Sequence, residues 1–283
     1  MGRVTTREKI VQIREGASAG RIDTVVVEEP LEIRLNGQPL TVTMRTPGND
    51  FELAAGFLAT EGVAAQADDI ATIRYCAGAT EEGANTYNVL DVVLATGLAT
   101  PDTSLQRNFY TSSSCGVCGK ASLDAVRTVS RWSVAADAVE FSCETVSALP
   151  ERLRAAQRVF DRTGGLHAAG LFNASGELLA IREDVGRHNA VDKLVGWAVY
   201  QDRLPLRETA LLVSGRASFE LVQKAVMAGV PMLAAVSAPS SLAVDLAQDS
   251  GLTLVGFLRG SSMNVYTGHP RVFTGQAPAG RPH

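Results

Sequence analysis

The sequence predicts an α/β protein in two unequal parts, a smaller α+β N-terminal half and a layered α/β C-terminal half. Three observations carry this. Leu31, Ile33 and Leu35, then Leu40, Val42 and Met44, alternate with polar residues on either side of Asn36-Gly37, the strongest short-range hairpin signal. From residue 147 onward, short apolar runs alternate with helix-like segments, which implies parallel strands joined by right-handed crossovers. The two patterns meet near residue 135, so the expected domains are 21–135 and 136–283.

In chain order, residues 1–20 read as a polar tail, and the Asn36-Gly37 hairpin follows. Pro47-Gly48-Asn49-Asp50 then opens a helix, with Asn49 as N-cap and Glu52 completing a capping box. It closes near Gly62. Strands are expected over 69–76 and 87–95, separated by a polar turn at 77–86, and a helix begins near Lys120. In the second half, a helix over 147–160 takes Pro150 in its first turn. A hairpin of 166–172 with 177–182 turns about Asn173-Ala174-Ser175-Gly176. Helices at 189–201, 217–228 and 241–249 then alternate with strands at 210–213, 232–236 and 252–257. Residues 275–283 are rich in Gly and Pro and read as a loose end.

Composition removes several classes of function. A net charge of −4 supplies no basic stripe for nucleic acid. No apolar run reaches the roughly 18 residues of a membrane span. The start, Met1-Gly2-Arg3-Val4-Thr5-Thr6, lacks the apolar stretch of a signal peptide, so the cytoplasm is the expected compartment. Cys76, Cys115, Cys118 and Cys143 are too few for a disulfide framework in 283 residues. Cys76 and Cys143 read as bystanders.

The other two cysteines lie in Arg107-Asn108-Phe109-Tyr110-Thr111-Ser112-Ser113-Ser114-Cys115-Gly116-Val117-Cys118-Gly119-Lys120. This run is polar, whereas a packing cysteine prefers apolar neighbours. A loop thiol near a helix start and a lysine has the setting that favours thiolate. Three readings compete. Structural zinc needs four ligands, and neither a second Cys pair nor a His-x3–5-His is present. A thioredoxin-like site follows a buried strand, and the ten residues before Cys115 are polar. In the third, Cys115 carries sulfane sulfur on a loop that Gly116 and Gly119 keep free to move between donor and acceptor.

A second constellation follows the strands of the C-terminal half. The segments are Glu183-Asp184-Val185-Gly186-Arg187-His188-Asn189, Ser214-Gly215-Arg216-Ala217-Ser218, Ser237-Ala238-Pro239-Ser240-Ser241 and Arg259-Gly260-Ser261-Ser262. Strand C-termini of an open α/β sheet share one edge, where ligands bind. Helix N-terminal N–H groups with Ser and Arg suit phosphate oxygens. Neither a Walker nor a Gly-x-Gly-x-x-Gly pattern is present, so an ordinary ATP or NAD site is not supported. His188, beside Asp184 and Arg187, is a candidate acid, base or ligand, or else a helix-start residue bonded to its neighbours. His167 opens an apolar strand and has both a functional and a simple half-buried reading, while His269 and His283 read as surface residues.

Taken together, the motifs resemble the FdhD family of formate dehydrogenase accessory sulfurtransferases. Besides the double-Cys run, they include Gly48-Asn49-Asp50-Phe51-Glu52-Leu53, Gly164-Gly165-Leu166-His167, Arg182-Glu183-Asp184-Val185-Gly186-Arg187-His188-Asn189, Val213-Ser214-Gly215-Arg216 and Gly256-Phe257-Leu258-Arg259-Gly260. The resemblance implies a persulfide on Cys115, drawn from a cysteine desulfurase. It implies delivery to the molybdenum cofactor, bis-(molybdopterin guanine dinucleotide), before insertion into formate dehydrogenase. Its cofactor-binding segment falls on Phe257, Leu258, Arg259, Gly260, Ser261 and Ser262, and Ser214, Gly215, Arg216 and His188 join them on the strand edge. GDP is the expected surrogate ligand. The implied fold is a cytidine-deaminase-like three-layer α/β/α domain with a smaller N-terminal part, as a homodimer.

That fold raises a zinc deaminase as a rival. Its signature is His-x-Glu at one helix start and Pro-Cys-x-x-Cys at the next. Here those starts read His188-Asn189-Ala190 and Gly215-Arg216-Ala217-Ser218, so no zinc is expected. A non-catalytic cofactor-binding chaperone and a thiol–disulfide oxidoreductase also compete with the carrier. Cys118 could relay the sulfur, resolve a disulfide or tune Cys115.

Overall fold

The structure, a computed structural model, describes residues 3–76, 87–98 and 130–274. The chain begins with an antiparallel hairpin of β1 (Thr5–Arg14) and β2 (Ala17–Val26). The expected polar tail is therefore structured. Period-two placement of Val11, Ile13, Ile22 and Thr24 on one face favours strands, and Glu15 and Gly16 turn the chain with φ of 50° and 82°.

β3 (Glu29–Leu35) and β4 (Gln38–Arg45) form the expected second hairpin. Asn36 and Gly37 take φ of 49° and 79°, the left-handed pair that a tight two-residue turn requires. Helix α1 (Asp50–Thr60) follows, then β5 (Ile70–Tyr75) and β6 (Val89–Leu94). The sheet order is β4-β3-β6-β5. Asn49 precedes the helix as expected, but its backbone is left-handed and its side chain caps nothing. Glu52 takes no part in a capping box; it forms a bidentate pair with Arg182, at 2.5 and 2.6 Å.

The second half contains β7 (Phe141–Ser142), α2 (Cys143–Ala156), α3 (Arg158–Thr163), β8 (His167–Asn173), β9 (Leu178–Asp184), α4 (Arg187–Tyr200), β10 (Thr209–Val213), α5 (Phe219–Met227), β11 (Met232–Ala235), α6 (Ser241–Ser250), β12 (Thr253–Arg259), β13 (Ser262–Thr267) and β14 (Val272–Phe273). Helix α2 starts a turn earlier than expected because Ser142 caps it, its hydroxyl accepting from the Thr145 amide at 3.0 Å. Pro150 consequently lies inside the helix. The β12–β13 hairpin adds a strand that the sequence pattern does not predict.

The main sheet runs β13-β12-β11-β10-β8-β9. β10, β11 and β12 are parallel neighbours, and β9 shares their direction because it is two antiparallel steps from β10. Alternate residues feed two cores, as the pleat dictates. Ala169, Leu171, Leu211, Val213, Leu233 and Ala235 join the core that contains α4, α5 and α6. Ala168, Phe172, Ala210, Leu212, Met232 and Ala234 join that of α2. This is the expected three-layer arrangement. Helix α1 ties it to the smaller sheet: Leu53, Ala54 and Leu58 pack with Leu31, Ile33 and Leu90, while Ala55 and Ala59 enter the α4 core.

Candidate functional site

Because β9, β10, β11 and β12 point the same way, the turns after them lie on one edge of the sheet. The turns are laced together. The Ser214 amide donates to the Ala168 carbonyl at 3.0 Å, and the Ala168 amide to the Ser214 hydroxyl at 2.9 Å. The amides of Ser237 and Ala217 reach the carbonyls of Gly215 and Ala238, each at 3.2 Å, and Phe257 N–H reaches the Ser237 carbonyl at 3.1 Å. These bonds make a preformed edge rather than a set of independent caps.

The predicted residues fall on it unevenly. Arg216, Phe257, Arg259, Gly260, Ser261 and Ser262 are exposed. Phe257 is held at a φ of 51°, a conformation a side chain seldom adopts, and Gly260 at 52° turns the β12–β13 hairpin. Arg259 Nε donates to the Val236 carbonyl at 3.2 Å, holding that side chain along the edge. Leu258 is fully buried in the α2 core, so its side chain serves packing. Gly215 lies against His167: a Cβ there would sit 3.5 Å from the imidazole.

His188 stands in the first turn of α4, its Nε2 3.3 Å from Ser218 Oγ and 3.8 Å from Glu220 Oε2. Burial, aided by Lys224 and Arg187, lowers its pKa from 6.5 to about 4. His167 is shifted the same way by burial and Arg187. Both rings are thus suited to neutral hydrogen bonding near pH 7 rather than to fixed charge. Among the described residues, no three His, Cys, Asp or Glu side chains gather as a metal site would need. Cys115, Cys118 and Lys120 lie outside the described residues.

The structure reveals roles for this motif that its sequence did not announce. Glu183 accepts from the Val159 and Phe160 amides, at 3.0 and 2.8 Å, at the start of α3. Asp184, fully buried, pairs with Lys193 at 2.7 Å and accepts from the Thr46 and Gly186 amides. Lys193 donates to the Thr46 carbonyl at 2.8 Å, and Asn189 Nδ2 to the Met44 carbonyl at 2.7 Å. The segment therefore seats the smaller sheet against α4. A second buried group joins Lys224 to Asp192 and Thr60, at 2.8 and 2.9 Å. The available signal was a charge inside an apolar helical run, as at Asp192-Lys193 and Lys224; such charges are buried only when paired.

Between β4, α1, α4 and α5 lies a cleft of about 460 Å³ whose lining includes Gly186, Arg187 and His188. Together, fold and site define a class: a three-layer α/β/α protein with a preformed, Ser- and Arg-bearing strand edge and a polar cleft beside it. Within this class the chain belongs to the FdhD/NarQ family, which matches residues 26–273. It is 68% identical over 273 residues to the sulfur carrier protein FdhD of Streptomyces avermitilis, covering 96% of this chain and 97% of that one. Identity to the sulfur carrier protein FdhD of Mycolicibacterium paratuberculosis is 64%, covering 95% and 99%. The fold is similar to that of a crystal structure from Desulfotalea psychrophila described as a formate dehydrogenase accessory protein, with a TM-score of 0.72 at 24% identity, covering 96% of this chain and all of that one.

Proposed function

We propose that this protein is a sulfur carrier that loads sulfane sulfur on Cys115 and delivers it to a molybdenum cofactor destined for formate dehydrogenase. The observation that carries this reading is near full-length identity of 68% to a sulfur carrier protein FdhD, together with the polar Cys115-Gly116-Val117-Cys118 run in this chain. The donor is a cysteine desulfurase. The Cys115 thiolate attacks the terminal sulfur of the donor's persulfide; the donor's S–S bond breaks, its thiolate leaves, and Cys115 becomes the persulfide. Attack by the Cys118 thiolate on Cys115 Sγ is one route of release, forming a Cys115–Cys118 disulfide and passing the outer sulfur to the cofactor as sulfide; an external thiol attacking Cys115 Sγ instead releases the same sulfide and leaves a mixed disulfide. The two electrons that reduce sulfane sulfur to sulfide come from the two thiols.

The cofactor, bis-(molybdopterin guanine dinucleotide), is substrate here. Its phosphates lie along the edge formed by Ser214, Gly215, Arg216 and Arg259–Ser262, where helix N-termini and guanidinium groups favour anions. The neutral His188 adds a hydrogen-bonding group at the same edge. The protein works in the cytoplasm as a homodimer. Incubation with a cysteine desulfurase and cysteine, followed by intact-mass measurement, tests the reading. A reductant-sensitive gain of one sulfur atom, lost in Cys115→Ala, is the expected result; a non-catalytic chaperone would show no such gain.

A further inference from the structure

The β1–β2 hairpin takes no part in the strand edge or in the cores of the described residues. It is a two-stranded sheet of its own, so both of its outer edges are open. Its root is fixed, since β2 contacts α3 and Val26 lies against Gly165. Beyond the root, every residue from Ile13 to Asp23 is exposed, and a Cβ on Gly16 or Gly20 would meet nothing within 4 Å. At about 3.3 Å per residue, its strands make an arm roughly 33 Å long. A free two-stranded hairpin is marginal in water, so the arm needs a surface to lie on.

The composition of the arm selects that surface. Its register puts Arg7, Lys9, Val11 and Ile13 on one face with Ile22 and Thr24. Val11, Ile13 and Ile22 are 70, 72 and 61% exposed, and the face bears two cations and no acid. Residues 1–26 hold five Lys and Arg against three Asp and Glu, a net +2, so in a chain of net −4 the remainder is −6. A second copy therefore offers the cationic arm an acidic body. Helix α6 carries the matching pattern: Leu242, Asp245 and Asp249 lie on one exposed stripe, and the helix has no Lys or Arg. Leu242 and Asp249 are about 10 Å apart along the helix, and Val11 and Arg7 about 13 Å apart along the strand. Apolar side chains can thus meet while cations meet carboxylates.

Area decides between one arm and two. One face of the arm measures roughly 33 by 10 Å, about 330 Å². A single seated arm buries roughly 660 Å² over both sides, the size of an adventitious contact, whereas a reciprocal pair buries roughly 1,300 Å², the size of a stable interface. Two-fold symmetry closes such a pair. We infer that two copies of this chain exchange arms. The β1–β2 hairpin of each lies on α6 of the other, with Val11, Ile13 and Ile22 around Leu242, and Arg7 and Lys9 beside Asp245 and Asp249. This rests on the homodimer proposed above and names the contact that holds it.

The test is sedimentation equilibrium of the full chain over a dilution series, with circular dichroism of each variant as the folding control. Wild type should be a dimer. Ile13→Asp and Lys9→Glu, at exposed positions outside the cores, should each weaken it by roughly tenfold, because symmetry repeats every lost contact. Asp245→Lys should weaken it likewise. Lys9→Glu combined with Asp245→Lys should bring the dissociation constant back to within about threefold of wild type, since the pair is restored with its signs exchanged. A wild type that sediments as a monomer, or a dimer indifferent to both Ile13→Asp and Lys9→Glu, would overturn the inference and leave the arm to a different partner. Weakening by Lys9→Glu that Asp245→Lys does not repair would also overturn it, because the arm would then lie elsewhere. Sulfur loading on Cys115 is measured separately by mass, so this failure is distinguishable from failure of the carrier reading.

Discussion

Gly56 of α1 and Gly196 of α4 face each other across the joint between the two halves. A Cβ on Gly56 would lie 1.8 Å from the Asp192 carbonyl oxygen, and one on Gly196 would lie 1.8 Å from that of Glu52. The two backbones meet directly, and this brings the smaller sheet close enough to form the cleft. Gly56→Ala or Gly196→Ala should each cost at least about 3 kcal/mol, at or beyond the upper end of ordinary overpacking. Denaturant unfolding checks this. Gly20→Ala, a position with open space at its Cβ, should stay within about 0.5 kcal/mol of wild type.

The Asp184–Lys193 pair should behave as a buried ion pair, since both side chains are at most 2% exposed. Lys193→Ala leaves the carboxylate buried without its cation and should cost about 3–5 kcal/mol. Arg74→Ala, which removes a pair whose arginine is 67% exposed, should cost less than about 1 kcal/mol. Comparable losses in the two variants would contradict the account of the joint.

Much of this architecture is legible in the sequence, and the misses have physical causes. The Asn36-Gly37 hairpin is readable because its turn needs two left-handed residues. The parallel core strands are readable because residues such as 210–213 are apolar on both faces. The β1–β2 hairpin escapes notice because Glu15-Gly16 is a weaker turn signal and the strands carry many charges. Asn49 and Glu52 have the spacing of a local capping box, but long-range pairing of Glu52 with Arg182 prevails. At the candidate site, the strand-edge turns follow from topology. The engagement of Asp184, Asn189 and Lys193 with Met44 and Thr46 does not, because those partners are about 140 residues away in sequence.

Acid should weaken the fold through His188. Its folded pKa, about 4, is below the ordinary 6.5, so the unfolded chain binds its proton more readily. The stabilising contribution is full above pH 6.5 and is lost as pH falls from 6.5 toward 4. His167 acts in the same direction. His188→Gln should flatten stability over that interval. NMR titration should show the His188 imidazole protonating near pH 4; a midpoint near 6.5 would contradict the burial argument.

Substrate binding and sulfur loading should separate. Arg259 is held along the strand edge by the Val236 carbonyl and can add a charge-assisted bond to phosphate. Arg259→Ala should weaken GDP binding by roughly tenfold while leaving persulfide formation intact. Unchanged GDP affinity in both Arg216→Ala and Arg259→Ala would move the phosphates elsewhere.

Sulfur loading on Cys115 is read out by intact-mass measurement of Cys115→Ala, Cys118→Ala and wild-type protein after incubation with a cysteine desulfurase and cysteine. A reductant-reversible gain of one sulfur atom is expected in wild type and in Cys118→Ala, with transfer only partly lost in the latter, and no gain in Cys115→Ala. Full loading and full activity in Cys115→Ala would contradict it, and loss of loading in Cys118→Ala alone would exchange the roles of the two thiols.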